Sequence, residues 1–166
     1  MVSIMGIDPT FKYVPQYRTF LNYVNKDIVK SVVMVGMEQA KHDELEGACI
    51  TLRAALVMEP DNVDAQLQLI VHTMEHKVDE QLPALQKQFV TDFKTEVFES
   101  LIRLQELAPD LDKTYYYLGF AYLNAGKYRD AQIAWDRFLK LSGPCSERME
   151  IRDRLKELEE PVKIEK

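Results

Sequence analysis

His72-Thr73-Met74-Glu75-His76 is the stretch whose residue types and spacing come nearest to a catalytic pattern. H-x-x-E-H puts two imidazoles on one face of a helix, where they can hold zinc while the glutamate acts as general base. A catalytic zinc takes a third protein ligand. By distance along the chain alone, the candidates are Glu147, Glu150 and Asp153. The rest of the sequence is poor in chemistry. Cys49 lies beside Ala48 on the packed face of a helical pattern with no identifiable histidine partner, so an inert buried thiol is expected rather than a nucleophile. Tyr115-Tyr116-Tyr117 has the composition of a recognition patch, but Tyr115 falls at a core position of its helix. Glycine-rich phosphate loops and serine or cysteine triad signatures are absent.

The elements that would position these residues are helical. The chain has 166 residues, 46% apolar and 29% charged, an ordinary globular balance for one domain with its own core. Six glycines and seven prolines are too few to punctuate the strands of a sandwich or barrel. The net charge of −6, with Lys and Arg interspersed among Asp and Glu, provides no basic stripe for nucleic acid. Met1 to Thr10 lacks the layout of a secretory signal, and no segment has the roughly 18 apolar residues of a spanning helix. Cys49 and Cys145 are isolated thiols, which fits a reducing cytoplasm. The expectation is an all-α cytoplasmic protein with no nucleic-acid or membrane partner.

Internal periodicity organises the helices. In Asp112 to Gly143, Tyr115, Leu118, Gly119 and Tyr122 share one helical face. Ala131, Trp135 and Phe138 share another, and Asn124-Ala125-Gly126-Lys127 makes the turn between them. Gly119 and Ala131 are small enough to mark a close helix crossing. This segment resembles a tetratricopeptide repeat, whose period is about 34 residues and whose pattern runs W-x₂-L-G-x₂-Y, A-x₃-F, P. Tyr115 stands for the tryptophan and Trp135 for the phenylalanine, while Leu118, Gly119, Tyr122 and Ala131 match; Phe138 occupies a usually small position and Pro144 comes one residue late. Val29 to Asn62 repeats the register with Val32, Val35, Gly36, Ala48, Leu52, Ala55 and Pro60, with Gln39 in place of the tyrosine. The phrase YYYLGFAYLNAG also resembles uncharacterised bacterial tetratricopeptide proteins.

The expected architecture is a tetratricopeptide-like α-α superhelix of about three repeats in a single domain, 1–166. It comprises an N-terminal segment and helix (1–25), repeat 1 (26–62), a degenerate repeat 2 (63–111), repeat 3 (112–143) and a capping helix (146–160). Repeat 2 is recognised by Val97, Leu101, Leu104 and Pro109, has Gln66 and Ile70 at the aromatic and glycine positions, and holds an insertion at about 77–91 with a short helix starting near Gln81-Leu82-Pro83. In the N-terminal helix Tyr17, Phe20, Leu21 and Val24 are expected to pack on repeat 1, with Asn25 capping the next helix. Ile151, Leu155 and Leu158 give the last helix its one apolar face.

The resemblance implies a peptide-binding groove lined by the first helix of each repeat. Its family positions fall on Val33, Met37 and Lys41, with Lys30 and Ala40; on Leu67, Val71 and Met74, with Asp64 and Glu75; and on Lys113, Tyr116, Phe120 and Asn124, with Leu123. Chaperone adaptors that clamp a C-terminal carboxylate carry Lys and Asn where this chain has Val33 and Met37, Leu67 and Val71, Tyr116 and Phe120, so that clamp is not expected. The groove is apolar and suits a partner peptide or helix, a second copy of the chain, or Phe11 to Pro15 folded back. The expected function is a non-catalytic scaffold or adaptor that binds protein, without cofactor, metal or catalytic residue. Two alternatives belong to other classes. A type III secretion translocator chaperone is similar in size, acidity and three-repeat layout, and a zinc metallopeptidase would act through His72, Glu75 and His76. The peptidases with that motif resemble large mixed α/β domains, so His72 and His76 are expected at a helix-end surface instead.

Overall fold

A computed structural model describes residues 1–75 and 97–164, leaving out the side chains of Glu75 and of residues 160–164. All regular structure in these residues is helical: α1 (Val2–Ile7), α2 (Val14–Val24), α3 (Ile28–Lys41), α4 (Leu45–Met58), α5 (Val63–Glu75), α6 (97–107), α7 (Asp112–Asn124), α8 (Tyr128–Leu141) and α9 (Glu147–Ile164). Among the described residues no helix is long and apolar enough to cross a membrane. The insertion at 77–91 lies outside the described residues. Contacts divide the chain into two compact units, Met1–Ser100 and Leu101–Lys166, with the boundary inside α6.

In the first unit α3 and α4 form an antiparallel hairpin, and α5 continues it against α4. Val32, Val33, Cys49, Leu52, Ala55, Ala65 and Leu69 interlock as its core. Asn62 links α4 to α5, its side-chain oxygen accepting from the Ala65 amide at 2.8 Å and so satisfying a donor that the helix start leaves open.

The N-terminal helices differ from expectation. Helix α1, not foreseen from the sequence, lies along α4; a side chain on Gly6 would run into the Ile50 carbonyl, so only glycine permits this approach. Met5 is fully buried there, clustered with Val14, Ala54 and Met58. Phe11, Tyr17 and Leu21 pack on this cluster, so Phe11 is committed to the α1–α4 side and does not fill a groove along α3. Phe20 and Val24, expected to face inward, are 51% and 64% exposed. Helix α2 meets the body through Val14, Tyr17 and Leu21, where the Arg18 guanidinium donates to the Met58 carbonyl. Asn25 accepts from the Asp27 amide at 2.9 Å, which fixes the turn before α3.

The second unit is built on the α7–α8 hairpin, with α9 against α8. Gly126, at φ 71°, is the left-handed residue that reverses the chain. The Gly126 amide donates to Leu123 and the Lys127 amide to Tyr122, closing off the last carbonyls of α7. Gly119 does make a close approach, but its nearest neighbours are the indole atoms of Trp135 and not Ala131. The fully buried indole donates to the Tyr116 carbonyl at 3.2 Å, which seats the ring against the α7 backbone. Tyr117, not assigned to the core from the sequence, is buried.

A candidate binding groove

Because α3 and α5 both run antiparallel to α4, they lie parallel to each other, and an open cavity of about 470 Å³ separates their exposed faces. Lys30, Val33, Met34 and Met37 line it from α3; Asp64 and Gln68 line it from α5, with Asn62 at the helix start. Val33 is buried at the floor, Met37 is half-buried, and Met34 stands at the rim with 62% of its surface in water. Lys30 and Asp64 occupy the first turns of their helices, exposed, and neither forms an ion pair among the described residues. The cavity can bury an apolar side chain between thioether and isopropyl groups, with an ammonium and a carboxylate at one end.

Of the groove positions expected from the sequence, the structure brings Lys30, Val33, Met37 and Asp64 onto this cavity. Leu67, Val71 and Met74 are half-buried on α5 without lining it. Lys41 is exposed in the last turn of α3, 3.2 Å from Glu38. Met34, Asn62 and Gln68 were missed. Met34 and Gln68 each follow an expected groove residue, Val33 or Leu67, by one position and lie 34 residues apart, so the expected period was the signal that could have found them.

In the second unit the aromatic pair is half-buried and has ring neighbours within the unit. Tyr116 and Phe120 meet edge to face at 5.1 Å, Phe120 lies 5.1 Å from Trp135, and Tyr116 lies 5.4 Å from Phe138. The Tyr116 hydroxyl donates to Glu150 on α9 at 3.1 Å, and the Lys113 ammonium sits 2.8 Å from Glu147. Lys113 and Tyr116 therefore fasten α9 to α7. Asn124 is exposed at the end of α7. A smaller cleft of about 290 Å³ lies on another face of this unit, lined by Gln105, Tyr115, Leu118, Tyr122, Asp130, Ile133, Ala134 and Arg137.

The residues considered for catalysis are placed as follows. His72 is not on the surface: it is half-buried in the last turn of α5, with Nε2 enclosed. The Glu75 side chain and all of His76 lie outside the described residues. Glu147 and Glu150 are engaged with α7. No cluster of three or more His, Cys, Asp or Glu among the described residues is arranged to hold a metal. Cys49 is buried, and desolvation pushes its thiol up to about 11 despite an opposing hydrogen bond with Thr73, so the thiol is protonated at neutral pH. Cys145 is exposed.

The chain matches no protein-family model, and no curated protein matches it.

Proposed function

We propose that this chain is a tetratricopeptide-type interaction module, a cytoplasmic scaffold or adaptor without catalysis of its own, and that the groove between α3 and α5 receives an apolar side chain of a protein partner. The α3–α5 cavity carries this reading: it is open, floored by Val33 and Met37, and bordered by one charge of each sign, each unpaired among the described residues. The recurrence of contacts along the chain supports the repeat. Gln66 and Tyr115 each donate at 2.7 Å to the carbonyl of the proline six residues earlier, Pro60 and Pro109. Two side-chain bonds from α7 to α9, Lys113 to Glu147 and Tyr116 to Glu150, each span 34 residues, the period expected of the repeat.

The test is to select peptides on the whole chain by display and map their binding by the methyl resonances of Met34 and Met37. Selected peptides should shift both methyls, and Met37→Asp should abolish their binding while leaving helicity intact. Selection that yields only peptides leaving both methyls unmoved would reject the groove as the binding surface.

A further inference from the structure

We infer that the occupant of the α3–α5 groove is a second copy of this chain, held by a two-fold interface in which Lys30 of each copy meets Asp64 of the other. The inference rests on the reading of the groove as a binding surface and names its partner. Lys30 and Asp64 both line the cavity, carry opposite charges, and are unpaired among the described residues. They stand at corresponding places, in the first turn of α3 and of α5. A two-fold interface uses the same patch twice and must complement itself. A two-fold axis running along the groove, parallel to both helices, places each α3 over the other copy's α5. Lys30 then faces Asp64 on both sides of the axis, and the charges pair twice.

The same rotation sets Met34 over Gln68 of the second copy and covers a thioether that is 62% exposed in the single chain. Two chains of net charge −6 repel each other at long range, so stable association needs a face that is locally balanced. The groove contributes one lysine and one aspartate to its lining and is such a face.

Sedimentation velocity of the full chain over a concentration series tests this. The wild type should sediment as a dimer that dissociates on dilution. Lys30→Glu and Asp64→Lys should each raise the dissociation constant about tenfold or more, because each sets like charges opposite one another. An equimolar mixture of the two variants should recover the wild-type constant. In the mixed dimer one contact keeps the native lysine and aspartate, and the other carries the same pair with its charges exchanged. Circular dichroism should show both variants folded, as both sites are exposed. A chain that is monomeric throughout the series overturns the second copy as occupant, while the Met34 and Met37 methyl response to selected peptides still decides whether the groove binds at all. A dimer that neither substitution weakens, or that the mixture fails to restore, overturns the inference as well.

Discussion

Asp43 and Gly126 do the same work in two different hairpins. Each is the left-handed residue just past a first helix, at φ 60° and 71° respectively. In each turn the residue's own amide donates to the carbonyl three positions back, and the following amide reaches five positions back: Asp43 to Ala40 with Glu44 to Gln39, and Gly126 to Leu123 with Lys127 to Tyr122. An aspartate pays a steric penalty at this dihedral that glycine escapes. Asp43→Gly should therefore raise stability by about 0.5–1 kcal/mol, and Gly126→Ala should lower it by about 1 kcal/mol or more. Urea denaturation midpoints moving in opposite directions would verify the shared turn; a loss of stability in Asp43→Gly would show that the carboxylate does something the backbone geometry does not reveal.

Residues 43 and 126 differ by 83, as do Gly36 and Gly119, and Leu52 and Trp135. At Gly36 an added methyl would press on Leu52 at 2.8 Å, whereas at Gly119 it would enter the indole of Trp135. The leucine can shift slightly, but the indole is a rigid ring pinned by its bond to the Tyr116 carbonyl. Gly119→Ala should cost about 1–3 kcal/mol by overpacking, and Gly36→Ala should cost less. Equal melting temperatures for the two variants would contradict this ordering.

Much of this pattern was legible in the sequence because helix period and glycine position are local signals. The turn at Gly126 and the buried Val32, Leu52, Val97, Leu101 and Leu104 follow from spacing, whereas Val35, placed by the same register at the position of Leu118, is 52% exposed. Orientation was less legible where a helix is apolar on more than one side. Helix α2 offers Val14, Tyr17 and Leu21 on one face and Phe20 and Val24 beyond it, and the location of Ala54 and Met58 chooses between them. Helix α7 has the same ambiguity, with aromatic side chains at 115, 116, 117, 120 and 122. Lys30 and Asp64, expected in a groove on the resemblance alone, line the α3–α5 cavity, but nothing local to either residue says whether the two charges are paired.

The two cysteines should be chemically distinct. Cys49 is buried with its thiol held near 11, whereas Cys145 is exposed. A thiol-reactive chromophore at neutral pH should titrate one thiol in the folded chain and two in urea. Rapid modification of Cys49 in the native state would mean that the α4 core opens far more readily than its packing implies.

Glu147 gives a pH dependence whose sign follows from its partners. The Lys113 hydrogen bond, with smaller help from its own backbone amide and from Ser146, lowers its carboxyl from an ordinary 4.5 to about 2. A depressed carboxylate stabilises the fold above its unfolded value and loses that contribution as pH falls from 4.5 toward 2. Lys113 is raised above 10.5, chiefly by the same hydrogen bond, so its contribution holds below that value and fades as pH climbs past it. Melting temperature should decline below pH 4.5 in the wild type, and Glu147→Gln should flatten part of that decline. Identical acid limbs in the two proteins would show that the pair is worth little in solution, as partly exposed pairs often are.

Tyr116 and Phe120 decide whether α7 contributes its rings to packing or to a groove. The family positions assign both to a concave surface, but each ring already has neighbours inside its own unit: Trp135 lies against Phe120, while Phe138 and the Glu150 carboxylate engage Tyr116. Truncating both therefore removes edge-to-face contacts together with the buried part of two aromatic side chains. Tyr116→Ala with Phe120→Ala should lower stability by about 3 kcal/mol or more, with a coupling between the two sites of about 0.5–1.5 kcal/mol in a double-mutant cycle. Tyr116→Phe keeps the ring and deletes the hydroxyl that donates to Glu150, and should cost about 1 kcal/mol. The cycle is read by urea denaturation, beside the Met34 and Met37 methyl response to selected peptides. A double variant with an unchanged melting temperature that no longer binds those peptides would return the two rings to the binding surface; one that melts early while Tyr116→Phe still binds would leave them as the packing between α7, α8 and α9.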